Sequence, residues 1–234
     1  MQIRLFVQTP LAVGQTVSLT EGQAHYLRDV LRAEIGAELY VFDGENGEFS
    51  AVLSRLSKKA AEIQICRQLR EQPPRAEIVL YFSPLKRDCT DWVVEKATEL
   101  GATRIVPVIT EYTAVKRVNT DRLRAIAIEA CEQCRRLDVP EIGEPVALAD
   151  VLARQGDDAP VLFHLDETGR GAKAGELFKT LSRAAFLVGP EGGFSERERG
   201  VIAQTPNTVG LDLGPRILRA ETASVAALSL FGCR

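Results

Sequence analysis

The chain has 234 residues, 29 Lys and Arg against 32 Asp and Glu, a formal net charge of -3, and is 45% hydrophobic and 26% charged. That composition is globular and excludes disordered, collagen-like and mucin-like classes, while the length allows one large domain or two small ones, each able to bury a core. Net charge hides local patches: the basic residues are mostly arginine, which suits phosphate contact and base stacking, although a solvated surface reads the same on charge alone.

From the N-terminus, Met1 to Val7 alternates as a strand and lacks both the apolar run and the small-residue cleavage site of a signal peptide, so a cytoplasmic protein is expected. Thr20 and Gln23 have the spacing of a helix capping box, followed by an apolar stripe of Tyr26, Leu27, Val30 and Leu31. Glu38 to Phe42 and Glu48 to Leu53 read as strands flanking the turn-rich Asp43-Gly44-Glu45-Asn46-Gly47, and Ala60 to Cys66 alternates again. Arg55, Lys58, Lys59, Arg67, Arg70 and Arg75 there face only Glu62 and Glu71. A small β-barrel with one helix fits residues 1–72. Pro73-Pro74 then marks a boundary, because proline fixes φ, removes a donor and pushes the preceding residue out of helix.

Residues 75–234 read as a second domain, in which apolar runs alternate with helix-length segments: Ile78 to Phe82, Asp91 to Leu100, Arg104 to Ile109 and Asp121 to Leu137. The pattern continues through Val161 to Leu165, Ala184 to Val188, a helix opened by Ser195, Thr208 to Leu213, and a last helix from Ala220 to Leu230. This alternation predicts an α/β fold with a parallel sheet and crossover connections. Trp92 reads as core rather than as a stacking platform, Glu95 and Glu99 form a like-charge pair, and His164 lies in an apolar strand. His25 lies on a helix surface and could equally face RNA. No uncharged run reaches the roughly 18–20 residues of a membrane helix, the C-terminal stretch Thr222 to Cys233 included.

Five scattered cysteines, Cys66, Cys89, Cys131, Cys134 and Cys233, are no disulfide framework. Cys131-x-x-Cys134 has no second ligand pair, and neither histidine stands at finger spacing, so no metal is expected. The strongest chemical signals are two glycine-containing loops that follow apolar runs. Gly189-Pro190-Glu191-Gly192-Gly193-Phe194 leads into Ser195 and Glu198, a second capping-box pair, and Gly214-Pro215-Arg216-Ile217-Leu218-Arg219 leads into the last helix. Neither matches the dinucleotide or the P-loop pattern. Each alone is also an ordinary turn, but two so close together suit a shared ligand cradle at the carboxyl ends of strands.

Leu187 to Ser195 together with Leu213 to Ala223 resembles the paired signature of the RsmE family, the 16S ribosomal RNA uridine-N3 methyltransferases of the SPOUT superfamily. His25 to Arg32, Asp91 to Gly101, and Glu132-Gln133-Cys134-Arg135-Arg136 followed by Val139 to Ile142 are similar to further family blocks, in the same order over essentially the whole chain. The chain departs from the pattern at Arg135, where the family commonly has glycine, and at Arg87 and Cys89, where it often has glycine and arginine.

The resemblance implies a PUA-like RNA-binding barrel before Pro73 and, after it, a methyltransferase domain with a trefoil knot, working as a homodimer on 16S rRNA or the small ribosomal subunit. It implies S-adenosylmethionine as cofactor, held by Val188, Gly189, Pro190, Glu191, Gly192, Gly193, Leu213, Gly214, Ile217, Leu218 and Thr222, with Thr110 in a third wall. Methyl transfer to uridine N3 needs an unpaired base, removal of its proton and a cation for the developing anion. Arg219, Arg136 and Arg4 are the candidate cations, with Glu191 the candidate base. RNA contacts are expected at Arg4, Arg28, Arg32, Lys86 and Arg136. A non-catalytic RNA-binding assembly factor on the same fold is the alternative, whereas the missing phosphate-loop motifs argue against a nucleotide-dependent enzyme.

Overall fold

The computed structural model describes residues 3–166, 169–173 and 177–232. Met1, Gln2 and Cys233, which figured in the expectations above, lie outside the described residues. The chain divides into two compact units, residues 1–74 with 131–139, and residues 75–130 with 140–234.

In chain order the first unit holds β1 (Ile3–Phe6), β2 (Thr16–Leu19), α1 (Glu21–His25), β3 (Glu38–Phe42), β4 (Glu48–Leu56) and β5 (Ala61–Arg70). The strands form one five-stranded sheet in the order β1-β3-β4-β5-β2, parallel at β1/β3 and antiparallel elsewhere. Alternation aims Leu39 and Val41, Ala51 and Leu53, and Ile63 and Ile65 at one core, where all are at most 1% exposed. Each large aliphatic chain so buried contributes about 1.5–3 kcal/mol. Three register shifts between β4 and β5 bend the sheet around that core. At the start of β4, Gly47 has φ +96°, and an added Cβ would lie 2.1 Å from the Arg70 carbonyl oxygen, so only glycine fits there.

The capping box at α1 forms. The Thr20 hydroxyl accepts from Gln23 N at 3.2 Å and the Gln23 side-chain oxygen accepts from Thr20 N at 3.1 Å. The helix then widens into a π turn over Tyr26–Val30, closed by Leu31 N donating to Tyr26 O at 3.0 Å. The wider turn breaks the expected apolar stripe: Leu27 is fully buried, but Val30 is rotated out and 60% exposed.

The second unit follows with β6 (Glu77–Phe82), α2 (Arg87–Glu99), β7 (Arg104–Ile109), α3 (Thr120–Cys134), β8 (Glu141–Ile142), β9 (Val146–Ala147), α4 (Leu148–Ala153), β10 (Val161–Leu165), β11 (Ala172–Lys173), β12 (Arg183–Val188), α5 (Glu196–Gln204), β13 (Thr208–Asp212) and α6 (Ala220–Gly232). Among the described residues the sheet runs β11-β13-β10-β12-β6-β7-β8, with β9 also on β7, and every pairing is parallel. Buried on both faces, β6 and β12 are near-continuous apolar runs. Phe163, Phe178, Phe186 and Phe231 pack in edge-on and offset pairs with centroids 5.2–5.9 Å apart. On α2 the buried face is Thr90, Val93, Val94, Ala97 and Thr98. Trp92, expected in the core, stands off that face and is 39% exposed. The Glu95/Glu99 pair is reconciled by Lys96, whose Nζ lies 2.7 and 2.8 Å from the two carboxylates.

Residues 131–139 explain why the first unit takes in chain from beyond the double proline. Phe42, Cys131 and Leu137 form a small core flanked by Phe6 and Val139. The buried carboxylate of Glu48 accepts from Arg4 Nε at 2.7 Å and from Arg70 Nε at 2.8 Å. The same guanidinium groups reach the end of α3: Arg4 donates to the carbonyls of Cys131 and, at 2.7 Å, of Arg136, and Arg70 to that of Arg135 at 3.0 Å. Phe6 N donates to Glu132 Oε1 at 2.9 Å. Arg4, expected to meet RNA or to act in catalysis, instead has a side chain only 6% exposed, spent on these partners and stacked 3.9 Å over Phe42.

The helix expected to reach Leu137 stops at Cys134, because Arg135 takes the left-handed conformation with φ +62°. A side chain there costs about 1–2 kcal/mol relative to glycine. Arg135→Gly is therefore expected to stabilise the protein by about 1 kcal/mol, the gain being reduced by glycine's larger unfolded-state entropy. Urea unfolding checks this, and equal or lower stability would refute it.

Candidate functional site

Two loops leave the carboxyl ends of the parallel strands β12 and β13. After β12, the turn Pro190-Glu191-Gly192-Gly193 is closed by Gly193 N donating to Pro190 O at 2.8 Å, with Gly193 at φ +68°. The chain then enters α5 through Ser195, whose hydroxyl accepts from Glu198 N at 3.1 Å. After β13, Gly214 N donates to Asp212 Oδ1 at 2.7 Å in a tight turn, and Ala223 N donating to Arg219 O at 2.8 Å starts α6.

Between these loops lies a cavity of about 360 Å3, within the range of small-molecule sites. Val188, Gly189, Pro190, Glu191, Gly192 and Gly193 line one side, and Leu213, Gly214, Ile217, Leu218 and Arg219 the other. Thr110 and Thr222 are not brought to it. The buried Thr110 hydroxyl lies 2.8 Å from that of Thr113, in the wall of a separate cavity of about 320 Å3, and Thr222 is exposed on the first turn of α6.

Sequence reasoning missed Leu165, Asp166 and Leu211, which line the cavity from outside both loop segments, whereas Phe194, Arg216, Ala220 and Ala223 fall within those segments without having been singled out as ligands. Asp166 carried a readable signal, an acidic residue just past the apolar run of β10, at the end of a parallel strand where ligands bind. The cavity thus combines apolar walls, the carboxylates of Asp166 and Glu191, and the guanidinium groups of Arg216 and Arg219. This suits a ligand with a flat apolar part and a zwitterionic tail. Glu191, Arg216 and Arg219 are exposed, as an open mouth requires.

The outer side of the first loop is buttressed by the segment after β7. Glu198, 7% exposed, accepts from Glu111 N at 2.8 Å through one oxygen and from Ser195 N at 3.0 Å through the other. Arg197 Nε donates to Glu111 Oε1 at 2.7 Å, which with the Ser195 hydroxyl holds the Glu111 carboxyl below its usual range. Tyr112 packs on Gly192, its Cβ 3.4 Å from where a Gly192 side chain would begin.

Elsewhere, Arg136 is directed at Asp138, at 2.8 and 3.2 Å, and its side chain is 11% exposed. Arg28 clasps Asp29 at 2.5 and 2.8 Å and reaches Ser57 O at 3.2 Å. Hydrogen bonding to Arg28, more than the pull of nearby His25, lowers the Asp29 carboxyl to about 2. Arg32 and Lys86 are exposed. Burial pushes the Cys131 thiol up to about 12, which leaves it inert. Among the described residues no group of His, Cys, Asp and Glu could hold a metal ion, and no helix is long and apolar enough to cross a membrane.

Comparison with known proteins bears on what the cavity holds. The family described as RNA methyltransferase domain matches residues 71–232, and that described as RNA methyltransferase PUA domain matches residues 19–66. Ribosomal RNA small subunit methyltransferase E of Rickettsia conorii is 31% identical over 97% of this chain and 93% of its own length. The protein of the same name from Aquifex aeolicus is 32% identical over 93% and 94%. Among solved structures, ribosomal RNA small subunit methyltransferase E from Neisseria gonorrhoeae bound to S-adenosyl methionine superposes with a TM-score of 0.89 at 31% identity, covering 98% of this chain and 96% of that one. A Legionella pneumophila protein solved with the same cofactor gives 0.89 at 30%, covering 100% and 98%.

Proposed function

Since the chain belongs to the RNA methyltransferase family that includes the ribosomal RNA small subunit methyltransferases E, we propose that it transfers a methyl group from S-adenosylmethionine to N3 of a uridine in 16S ribosomal RNA. The observation that carries this reading is the cavity between the β12 and β13 loops, where apolar walls, two acidic residues and two arginines suit the parts of that cofactor. Leu211, Leu213, Ile217 and Leu218 would cover the adenine, Asp166 would accept from hydroxyl or ammonium groups, and Arg216 would pair with the carboxylate. Bound there, the cofactor supplies a methyl already activated by a sulfonium charge, so the protein's task is positioning and charge management.

Uridine N3 carries a proton, and its removal leaves negative charge on the flanking carbonyl oxygens. Arg219, exposed at the cavity mouth, is the cation that stabilises this charge, and Glu191 on the facing loop receives the proton. Arg136 is assigned no such role, since its guanidinium is directed at Asp138. The exposed Arg32 and Lys86 would contact RNA phosphates in their own units. Leu230 on α6, 48% exposed, and Ile217 shortly before it, 82% exposed, support action as a homodimer. A knotted methyltransferase domain belongs to the same proposal.

The test is transfer from labelled S-adenosylmethionine to unmodified small subunits and to naked 16S rRNA, with mass spectrometry of the product nucleosides. 3-Methyluridine is expected. Another methylated nucleoside would sink the assigned target atom, and binding of subunits without transfer would favour the assembly-factor reading.

A further inference from the structure

Glu198 occupies a position that its helix cap does not require. A capping glutamate needs to reach back only to the N-cap backbone, and one oxygen does so, at Ser195 N. The other crosses to a segment 87 positions away in sequence and takes the N–H of Glu111 at 2.8 Å. The buried carboxylate thus ties the loop after β7 directly to the end of the glycine loop after β12. Arg197 and Glu111 repeat the link on the surface, and Tyr112, carried by the tied segment, lies against Gly192 in the cavity wall. Gly192 and Gly193 have no side chains of their own to hold their position, so the wall takes its shape from what is packed behind it.

We propose that Glu198 is a positioning residue, a latch that sets the glycine loop in its ligand-binding shape by fixing the Glu111–Tyr112 segment behind it. The proposal rests on the reading of the cavity as a cofactor site. Its chemistry requires a carboxylate of this length: glutamine offers one acceptor and turns an N–H donor towards the second backbone N–H, and aspartate is one methylene too short to span both.

Glu198→Gln and Glu198→Asp are compared with Val94→Ala, a core substitution in α2 outside both cavities. Cofactor dissociation constants are measured calorimetrically well below each melting temperature, alongside amide exchange of the ligand-free proteins. The expected result is cofactor binding about tenfold weaker in both Glu198 variants, with faster exchange at Glu111, Tyr112 and the 190–195 segment, and unchanged affinity in Val94→Ala despite its lower melting temperature. Wild-type affinity in both Glu198 variants overturns the latch, as does an equal loss in Val94→Ala. A wild-type protein that binds no S-adenosylmethionine would overturn the cofactor reading instead, and the latch is then decided by exchange alone: unchanged protection at Glu111 and Ser195 in Glu198→Gln refutes it.

Discussion

Glu48→Ala is expected to lower the stability of the first unit by about 3–5 kcal/mol, the usual cost of removing one member of a buried ion pair. The carboxylate is 7% exposed and accepts from two arginines at once. Without it, Arg4 keeps its charge among carbonyl partners and the Phe42 ring, in a place water hardly reaches. The loss should propagate to residues 131–139, whose carbonyls those arginines hold. Amide exchange across β4 and the end of α3, with urea unfolding followed by circular dichroism, would read it; a change below about 1 kcal/mol would refute the assignment. Acid gives an independent check. Burial alone would raise the Glu48 carboxyl, but hydrogen bonds from Arg70 and Arg4 more than reverse this and leave it below its ordinary value. A lowered folded-state value means that the stabilisation is complete above the unfolded value of about 4.3 and fades as pH falls through the folded one. The wild type should lose more stability than Glu48→Gln over that window.

Arg219→Ala is expected to cut the rate of methyl transfer by about 100- to 1,000-fold, the effect of removing one preorganised donor from a developing anion. Cofactor affinity should stay within about threefold, because Arg216 remains at the same cavity mouth to meet the carboxylate tail. Single-turnover kinetics with unmodified subunits separates the two effects. If affinity falls as far as the rate, Arg219 is a cofactor ligand and not the cation at the base; if neither changes, it has no part in the reaction. Arg219→Lys keeps a charge but not the planar fork and should lie between.

Much of the second unit could be read from its residues, because parallel strands buried on both faces leave continuous apolar runs and α5 announces itself through Ser195 and Glu198. Both glycine loops were legible for the same reason, since few residue types close turns such as those at Gly193 and Gly214. What escaped was set by partners distant in sequence. Nothing local distinguishes Arg4 from an exposed arginine; its burial depends on Glu48 and on carbonyls more than 120 positions away. The α3 stop at Arg135 was hidden because an arginine stands in a conformation that usually advertises itself as glycine. The exposure of Val30 follows from a single extra residue in one helical turn, and that of Trp92 from which face of α2 is turned inward. Short elements such as β8, β9 and α4 carry too few residues for any period to stand out.

The grip of Arg4 and Arg70 on Cys131, Arg135 and Arg136 also sets a timetable. The first unit cannot make its last hydrogen bonds until the chain has been synthesised as far as Val139. At about 5–20 residues per second, Glu48 and its arginines leave the ribosome on the order of ten seconds before the carbonyls they will serve. During that interval the sheet can pair, but its ion cluster stays wet and unfinished. An N-terminal unit that is first in sequence is therefore not first to be completed, and its final closure falls while the central strand of the second sheet, β12, is still unmade.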